Sequence, residues 1–356
     1  MTVAARRFTD LVGNTPLLAL DRFGAGALHG RILAKIEYLN PAGSIKDRTA
    51  WGLIRAAETE GRLAPGQLLV DLTSGNTGIG LAALAAASGY RAKFYLRAST
   101  SAEKRALIHQ YGAETILIDD AEFLEPGAVN TIIARVQSEN PGAFYTDQRG
   151  NPANPRIHFE MTGPEIWRDT AGAVDILVSA VGTGGTVSGT GRYLKSRKPG
   201  LRVVVVEPAP GSVPTFDHPD VDAVEGVHRV TGVEPHLLPG NYDVQVVDEV
   251  IACTTVQARA LARRLARQEG LMAGPSSGAV LFAASVLAAR PENAGRTIVA
   301  IVADSGERYL SQADGLPAAQ RATGSCALAP AAPSRNSRSG AASVGRSWTA
   351  RDLPLG

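Results

Sequence analysis

The sequence predicts an α/β protein of two lobes, each a mainly parallel sheet flanked by helices. Three observations carry this reading. Short runs of aliphatic and β-branched residues alternate with longer helical patterns along most of the chain. Turns rich in Gly, Ser and Thr stand after a strand pattern and before a helical one, where open parallel sheets keep their ligand loops. The length, 356 residues, is more than one core holds comfortably.

The strand pattern falls at 31–39, 68–72, 92–97, 114–118, 144–147, 175–180, 202–207 and 297–303. The helical pattern falls at 46–60, 77–88, 101–111, 125–139, 155–170, 186–197 and 255–269. Regular alternation of this kind gives parallel sheets with helices on both faces. Gly61 stands where a helix C-cap is expected, and Thr100 with Glu103 reads as a capping box opening the next helix. The small lobe is expected to span residues 41–154, and the large lobe residues 1–40 and 155–313. From 314 to 356 the chain is rich in Ala, Ser, Pro, Gly and Arg with no periodic apolar face, so a disordered tail is expected there. Its arginines either touch an acidic partner or are simply solvated.

Composition excludes several classes of function. The chain is 44% hydrophobic and 20% charged with a net charge of +2, which is not the balance of a nucleic-acid binder. Two cysteines, Cys253 and Cys326, fall short of a disulfide framework or a zinc site, so no metal is expected and a reducing, cytoplasmic setting is the default. No apolar run follows Arg6-Arg7 as in a signal peptide. The apolar stretch 79–87 stops well short of a membrane span.

Three small-residue turns carry the chemistry: Asn40-Pro41-Ala42-Gly43-Ser44-Ile45-Lys46, Thr73-Ser74-Gly75-Asn76-Thr77-Gly78 and Gly182-Thr183-Gly184-Gly185-Thr186. The third suits an anion, because glycine admits close backbone approach and the helix that follows points its positive end at the bound group. It is equally readable as a structural tight turn. A dinucleotide fingerprint fails because position 187 is Val, and a P-loop fails because no Lys-Ser/Thr follows. Lys46 is electrostatically misplaced at a helix start. It is either a Schiff-base nucleophile activated by desolvation or a surface lysine paired with Asp47 or Glu37.

Taken in order, the segments 40–48, 73–78, 182–186 and Gly274-Pro275-Ser276-Ser277-Gly278 resemble the cysteine synthase and cystathionine β-synthase family of fold-type-II pyridoxal-phosphate enzymes. Val12-Gly13-Asn14-Thr15-Pro16-Leu17, Asn151-Pro152-Ala153-Asn154-Pro155, Thr162-Gly163-Pro164-Glu165-Ile166-Trp167 and Gly306-Glu307-Arg308-Tyr309-Leu310 extend the resemblance over residues 8–312. It implies a pyridoxal 5′-phosphate cofactor held by Lys46, which also moves the α-proton. It places Asn76 on the cofactor ring oxygen, Gly182, Thr183, Gly184, Gly185 and Thr186 around the phosphate, and Ser276 at the pyridine nitrogen. Thr73, Ser74, Gly75, Thr77 and Gln148 would hold the substrate carboxylate. A serine at the pyridine nitrogen is a neutral partner, so the electron sink is weaker and elimination is favoured over transamination.

The implied reaction is β-replacement on an O-activated L-serine, O-acetylserine or O-phosphoserine, foremost with sulfide to give L-cysteine, in a homodimer. Other nucleophiles (an amine such as glutamate, homocysteine, a thiocarboxylate), serine or threonine dehydration, and a non-catalytic binding role remain as alternatives. No haem-binding extension precedes residue 8 and no paired regulatory domain follows residue 312, which points away from an animal-type cystathionine β-synthase.

The sequence departs from the family at three places. In the segment 226–239, Gly232 is kept but Glu234 and His236 replace glycines at the entrance of the site. They either tune the acceptor or face water on a shifted loop. Arg149 stands where an aromatic is common, which is compatible with a phosphate leaving group. Arg97-Ala98 replaces a Pro-Glu pair.

Overall fold

The structure, a computed structural model, describes residues 4–24, 28–125, 127–215, 218 and 221–312. The tail expected at 314–356 lies outside the described residues. The larger sheet has the order β1 (Leu17–Ala19), β2 (Arg31–Ile36), β10 (Thr297–Val302), β7 (Val174–Ala180), β8 (Arg202–Pro208), β9 (Glu249–Cys253). Only β1 is antiparallel to its neighbour. The smaller sheet is wholly parallel, with the order β5 (Glu114–Ile118), β4 (Arg91–Arg97), β3 (Leu68–Leu72), β6 (Phe144–Tyr145). Val203, Val204, Val205 and Val206 of β8 are all sealed from solvent. A strand covered on both faces by helices needs such a continuous apolar run.

Helices α1 (Lys46–Thr59), α2 (Asn76–Ser88), α3 (Ala102–Gln110) and α4 (Ala128–Glu139) accompany the smaller sheet in sequence. The larger sheet has α5 (Ala153–Ile157), α6 (Gly163–Asp169), α7 (Gly185–Arg197), α8 (Thr255–Glu269) and α9 (Pro275–Ala288). Among the described residues no helix is long and apolar enough to cross a membrane.

Several boundaries differ from the sequence expectation. The strand expected at 31–39 stops at Ile36, and Glu37–Leu39 form a 3-10 turn that carries Glu37 inward to Arg48. The helix expected at 155–170 is broken by a π turn at His158–Thr162, which separates α5 from α6. Such bulges re-aim side chains and recur at functional sites; here the π turn holds His158 under Thr186 of α7. The cap of α3 is Ser101, whose hydroxyl accepts from Lys104 N, and not Thr100. Glu103 instead accepts from the backbone N–H and hydroxyl of Ser311, at 2.7 and 2.8 Å. Gly61 does terminate α1, with φ +67° just after the cap residue.

Candidate active site

The amine of Lys46 opens into a cavity between the carboxyl ends of the two sheets. The turn before it is pinned from several sides. Ala42 N donates to the Asp47 carboxylate at 2.6 Å, Ile45 N donates to Ala303 O at 2.9 Å, and Ser44 bridges to Asp304. Gly43, at φ +83°, lies against the Arg308 guanidinium, where a Cβ would overlap it. Neither proposed partner takes the lysine: Glu37 is held by Arg48, and Asp47 by the turn. Burial pulls the Lys46 pKa below its ordinary value, with Asp304 and Glu37 acting in the opposite sense. A half-buried amine without an ion pair among the described residues is what a Schiff-base lysine requires.

Facing it, Gly182–Thr186 joins β7 to α7, and Gly184 caps the helix at φ +83°. A Cβ on Gly184 would meet the Tyr242 backbone at 2.6 Å, and one on Gly185 would overlap the Asn154 amide. Asn154 buttresses the turn by donating to Thr183 Oγ1 at 2.9 Å, and also donates to Gln148 O at 2.8 Å. His158 lies 3.3 Å from the Thr186 hydroxyl. The cradle is therefore a rigid set of N–H groups at a helix start.

The third wall is the 73–77 loop after β3. Thr73 Oγ1 accepts from Gly75 N and Gly78 N, which curls the loop. Thr77 donates to Gln148 Oε1 at 2.6 Å, and Gln148 Nε2 donates to Leu72 O at 2.9 Å, so both side chains brace the loop. Asn76 donates to Asp304 at 2.6 Å and accepts from Arg308 Nη1 at 2.7 Å, which fixes its amide. Ser276, 8% exposed in the first turn of α9, has a hydroxyl with no hydrogen bond to a described residue.

Of the residues singled out from the sequence, Lys46, Thr73, Ser74, Asn76, Gln148, Gly182, Thr183, Gly184, Thr186 and Ser276 line the cavity together. Gly75, Thr77 and Gly185 stand just behind its surface. Gly232, Glu234 and His236 are exposed and are not among the residues that line the cavity. That segment leaves the cleft after His228, because Val230 N, Thr231 N and Thr231 Oγ1 all bind the Glu207 carboxylate at the end of β8. The residues of this stretch that do reach the cavity are Glu225, Gly226 and His228. Their signal lay in the same segment, nearer its start. His228 is exposed at the cavity mouth with Nδ1 2.9 Å from Gly182 O, and loss of hydration against the cleft wall, then the charges of Arg149, Arg97 and Lys46, lower its imidazole pKa. Tyr309, within the Gly306–Leu310 motif, also lines the site.

The fold and this lysine-and-cradle geometry define a class, the pyridoxal-phosphate dependent enzymes, and that family matches residues 8–304. Within it the chain belongs to the cysteine synthase family. It is 43% identical over 303 residues to cysteine synthase 3 of Caenorhabditis elegans, covering 85% of this chain and 87% of the relative. To cysteine synthase A of Escherichia coli K12 it is 42% identical over 304 residues, covering 85% and 93%. Among solved structures, O-ureido-L-serine synthase superposes with a TM-score of 0.76 at 35% identity, covering 90% of this chain and 100% of that one.

The residues present fit pyridoxal phosphate. Among the described residues the Lys46 amine has no ion pair and the Ser276 hydroxyl no hydrogen-bond partner, and the Gly182–Thr186 turn tolerates no side chain at Gly184 or Gly185.

Proposed function

We propose that this chain catalyses β-replacement on an O-activated L-serine, with sulfide as nucleophile and L-cysteine as product. The observation that carries the reading is the Lys46 amine, depressed in pKa and turned into a cavity with an anion cradle on one side and a neutral serine hydroxyl on another. Its close relatives are cysteine synthases.

Lys46 would hold the cofactor and move the α-proton. Gly182–Thr186 would take its phosphate, Asn76 its ring oxygen and Ser276 its pyridine nitrogen. When bound, pyridoxal phosphate supplies a sink for the electron pair released with the α-proton; a neutral Ser276 partner keeps that sink modest and favours loss of a β-substituent. The 73–75 backbone, stiffened by Thr77 and Gln148, would bind the substrate carboxylate through N–H groups. His228, held neutral, can accept a proton at the cavity mouth without adding charge.

We further read residues 41–154 as a small lobe that carries the substrate loop, and the protein as a cytoplasmic homodimer, as the family resemblance implies. Light scattering and cell fractionation check the last two. The activity is tested by feeding the holoenzyme O-acetylserine or O-phosphoserine with sulfide and measuring cysteine. Pyruvate or ammonia as the main product, with no cysteine, would favour a dehydratase instead.

A further inference from the structure

We propose that Arg97 and Arg149 form a second oxyanion subsite in this cavity, one that takes the phosphate of O-phospho-L-serine and makes it the preferred donor. This rests on the β-replacement reading above and narrows its donor.

Topology places the two cations on either side of the 73–77 loop. In the smaller sheet β3 lies between β4 and β6. The end of β3 leads into the 73–77 loop, Arg97 is the last residue of β4, and Arg149 follows β6. The two arginines thus arise on either side of the loop that would hold the amino-acid carboxylate, and both line the cavity. The Gly182–Thr186 cradle hangs from β7 in the other sheet and has its own helix N-terminus. An anion answered by Arg97 and Arg149 thus meets a different set of donors from the one in that cradle, although Asn154, which donates to both Gln148 O and Thr183 Oγ1, keeps the two sets near each other.

Their donors are available. Arg149 makes no side-chain hydrogen bond or ion pair with a described residue, and all five of its N–H groups remain for a ligand. Arg97 reaches its nearest carboxylate, Asp120, at 3.8 Å, and its guanidinium lies 4.0 Å over the Phe123 ring, which fixes its plane. Partial removal from water pulls both guanidinium pKa values below normal, although the Arg97 side chain keeps 41% of its exposure. Cations desolvated without full pairing are costly unless a counter-charge arrives. The carboxylate that lines the cavity, Glu225, is already engaged by Lys104 at 2.7 Å. An acetyl ester offers neutral acceptors, whereas a phosphate monoester offers three charged oxygens matched to the guanidinium fork.

The balanced reaction is O-phospho-L-serine plus hydrogen sulfide giving L-cysteine plus hydrogen phosphate. The β-carbon–oxygen bond breaks with its electron pair on the phosphate oxygen, and the carbon–sulfur bond forms. Hydrogen sulfide gives one proton to the departing phosphate. Lys46 takes the α-proton and returns it.

The test compares kcat/KM of the holoenzyme for O-phospho-L-serine and O-acetyl-L-serine with sulfide. The wild type is expected to favour the phosphate donor. The ratio should fall about 10- to 100-fold in Arg149→Gln, the span of one hydrogen bond to a charged group, with partial recovery in Arg149→Lys and a shift in the same direction in Arg97→Gln. A wild-type preference for O-acetyl-L-serine, or an equal loss with both donors, overturns the proposal. If neither donor yields cysteine, it is the sulfide reading that has failed. The donor ratio is then read from phosphate against acetate release without acceptor, and the same criterion applies. A donor ratio unchanged in Arg149→Gln, with only the KM of an anionic acceptor such as glutamate raised, moves the subsite to the acceptor and also refutes the proposal.

Discussion

Replacing Arg48 by Met should cost this protein much of its stability while leaving the cavity wall chemically untouched. Arg48 is 0% exposed and sits two residues beyond Lys46 on α1. Its guanidinium donates to both oxygens of Glu37 at 2.7 and 2.9 Å, to both oxygens of Glu165 at 2.7 Å, and to Thr15 Oγ1 at 3.1 Å. Lys35 donates to Glu165 at 2.8 Å, so two cations balance two carboxylates in a dry pocket. Removing one partner of a buried pair costs about 3–5 kcal/mol, because the other charge stays buried. The loss falls mainly on Glu37, since Glu165 keeps Lys35. A deficit of about 4 kcal/mol is expected from urea denaturation of the holoenzyme at pH 7.5.

The deficit also has a pH signature. Burial alone would raise the Glu165 carboxyl, but hydrogen bonds and charge from Arg48, then Lys35, hold it at about 2, below its ordinary 4.5. A depressed carboxylate pKa gives stability that is present above the unfolded value and lost as pH falls through the folded one. Arg48→Met forfeits part of that, so its deficit should hold from pH 7 to about 4.5 and shrink as pH falls below that toward 2. A variant within 1 kcal/mol of wild type at pH 7.5, or a deficit flat with pH, would refute this account.

Three further outcomes are expected. Borohydride reduction followed by peptide mass spectrometry should place the cofactor label on Lys46, and Lys46→Ala should abolish it; a label on another lysine contradicts the site. Burial raises the Asp71 carboxyl to about 7 despite hydrogen bonds from Thr146 and Gln148 N, so between its unfolded value of 3.8 and 7 the native state binds the extra proton and loses stability as pH rises. Asp71→Asn should accordingly gain on wild type between pH 5 and 8, by about 3 kcal/mol in the free energy of urea unfolding; parallel profiles would dismiss the shift. Glu234→Gly with His236→Gly should leave the ranking of nucleophiles within about twofold, since both side chains face solvent outside the cavity, and a changed ranking would show that the segment reaches the acceptor after all.

Much of the fold was legible because strands sealed on both faces read as unbroken aliphatic runs, as in the four valines of β8. What escaped had no period to show. Helix α9 is apolar on every side and buried, so it offers no amphipathic stripe, and β1 is only three residues long. The cofactor side of the site was legible from small-residue turns whose glycines answer close contacts, as at Gly184 and Gly185. The rim was not. Whether a residue between 225 and 236 reaches the cavity depends on where the chain turns away, and the Glu207 carboxylate decides that from a distant strand. Glu234 and His236 stood out by residue type, while His228 four residues upstream of Gly232 proved to be the one in place.

The stretch after β10 shows why a motif remote from Lys46 belongs with it. Arg308 donates to the Asn76 amide oxygen and to Ala42 O, joining the substrate loop to the turn before Lys46. Asp304 accepts from Asn76 at 2.6 Å and from the Tyr309 hydroxyl at 2.5 Å, and its second oxygen is buried without a partner among the described residues. Tyr309 in turn lies 4.1 Å under the Lys104 ammonium, and Lys104 packs against Gly75 and pairs with Glu225. One chain of contacts therefore runs from the turn of Lys46, through Arg308, Asn76 and Asp304, to the 73–77 loop. Each link is buried or half-buried, where an unpaired polar group is costly, so moving any one loop breaks bonds to the others. The distance between the Lys46 amine and the groups that would orient the substrate is thus set by Asp304, Arg308 and Tyr309, none of which need touch the reacting atoms.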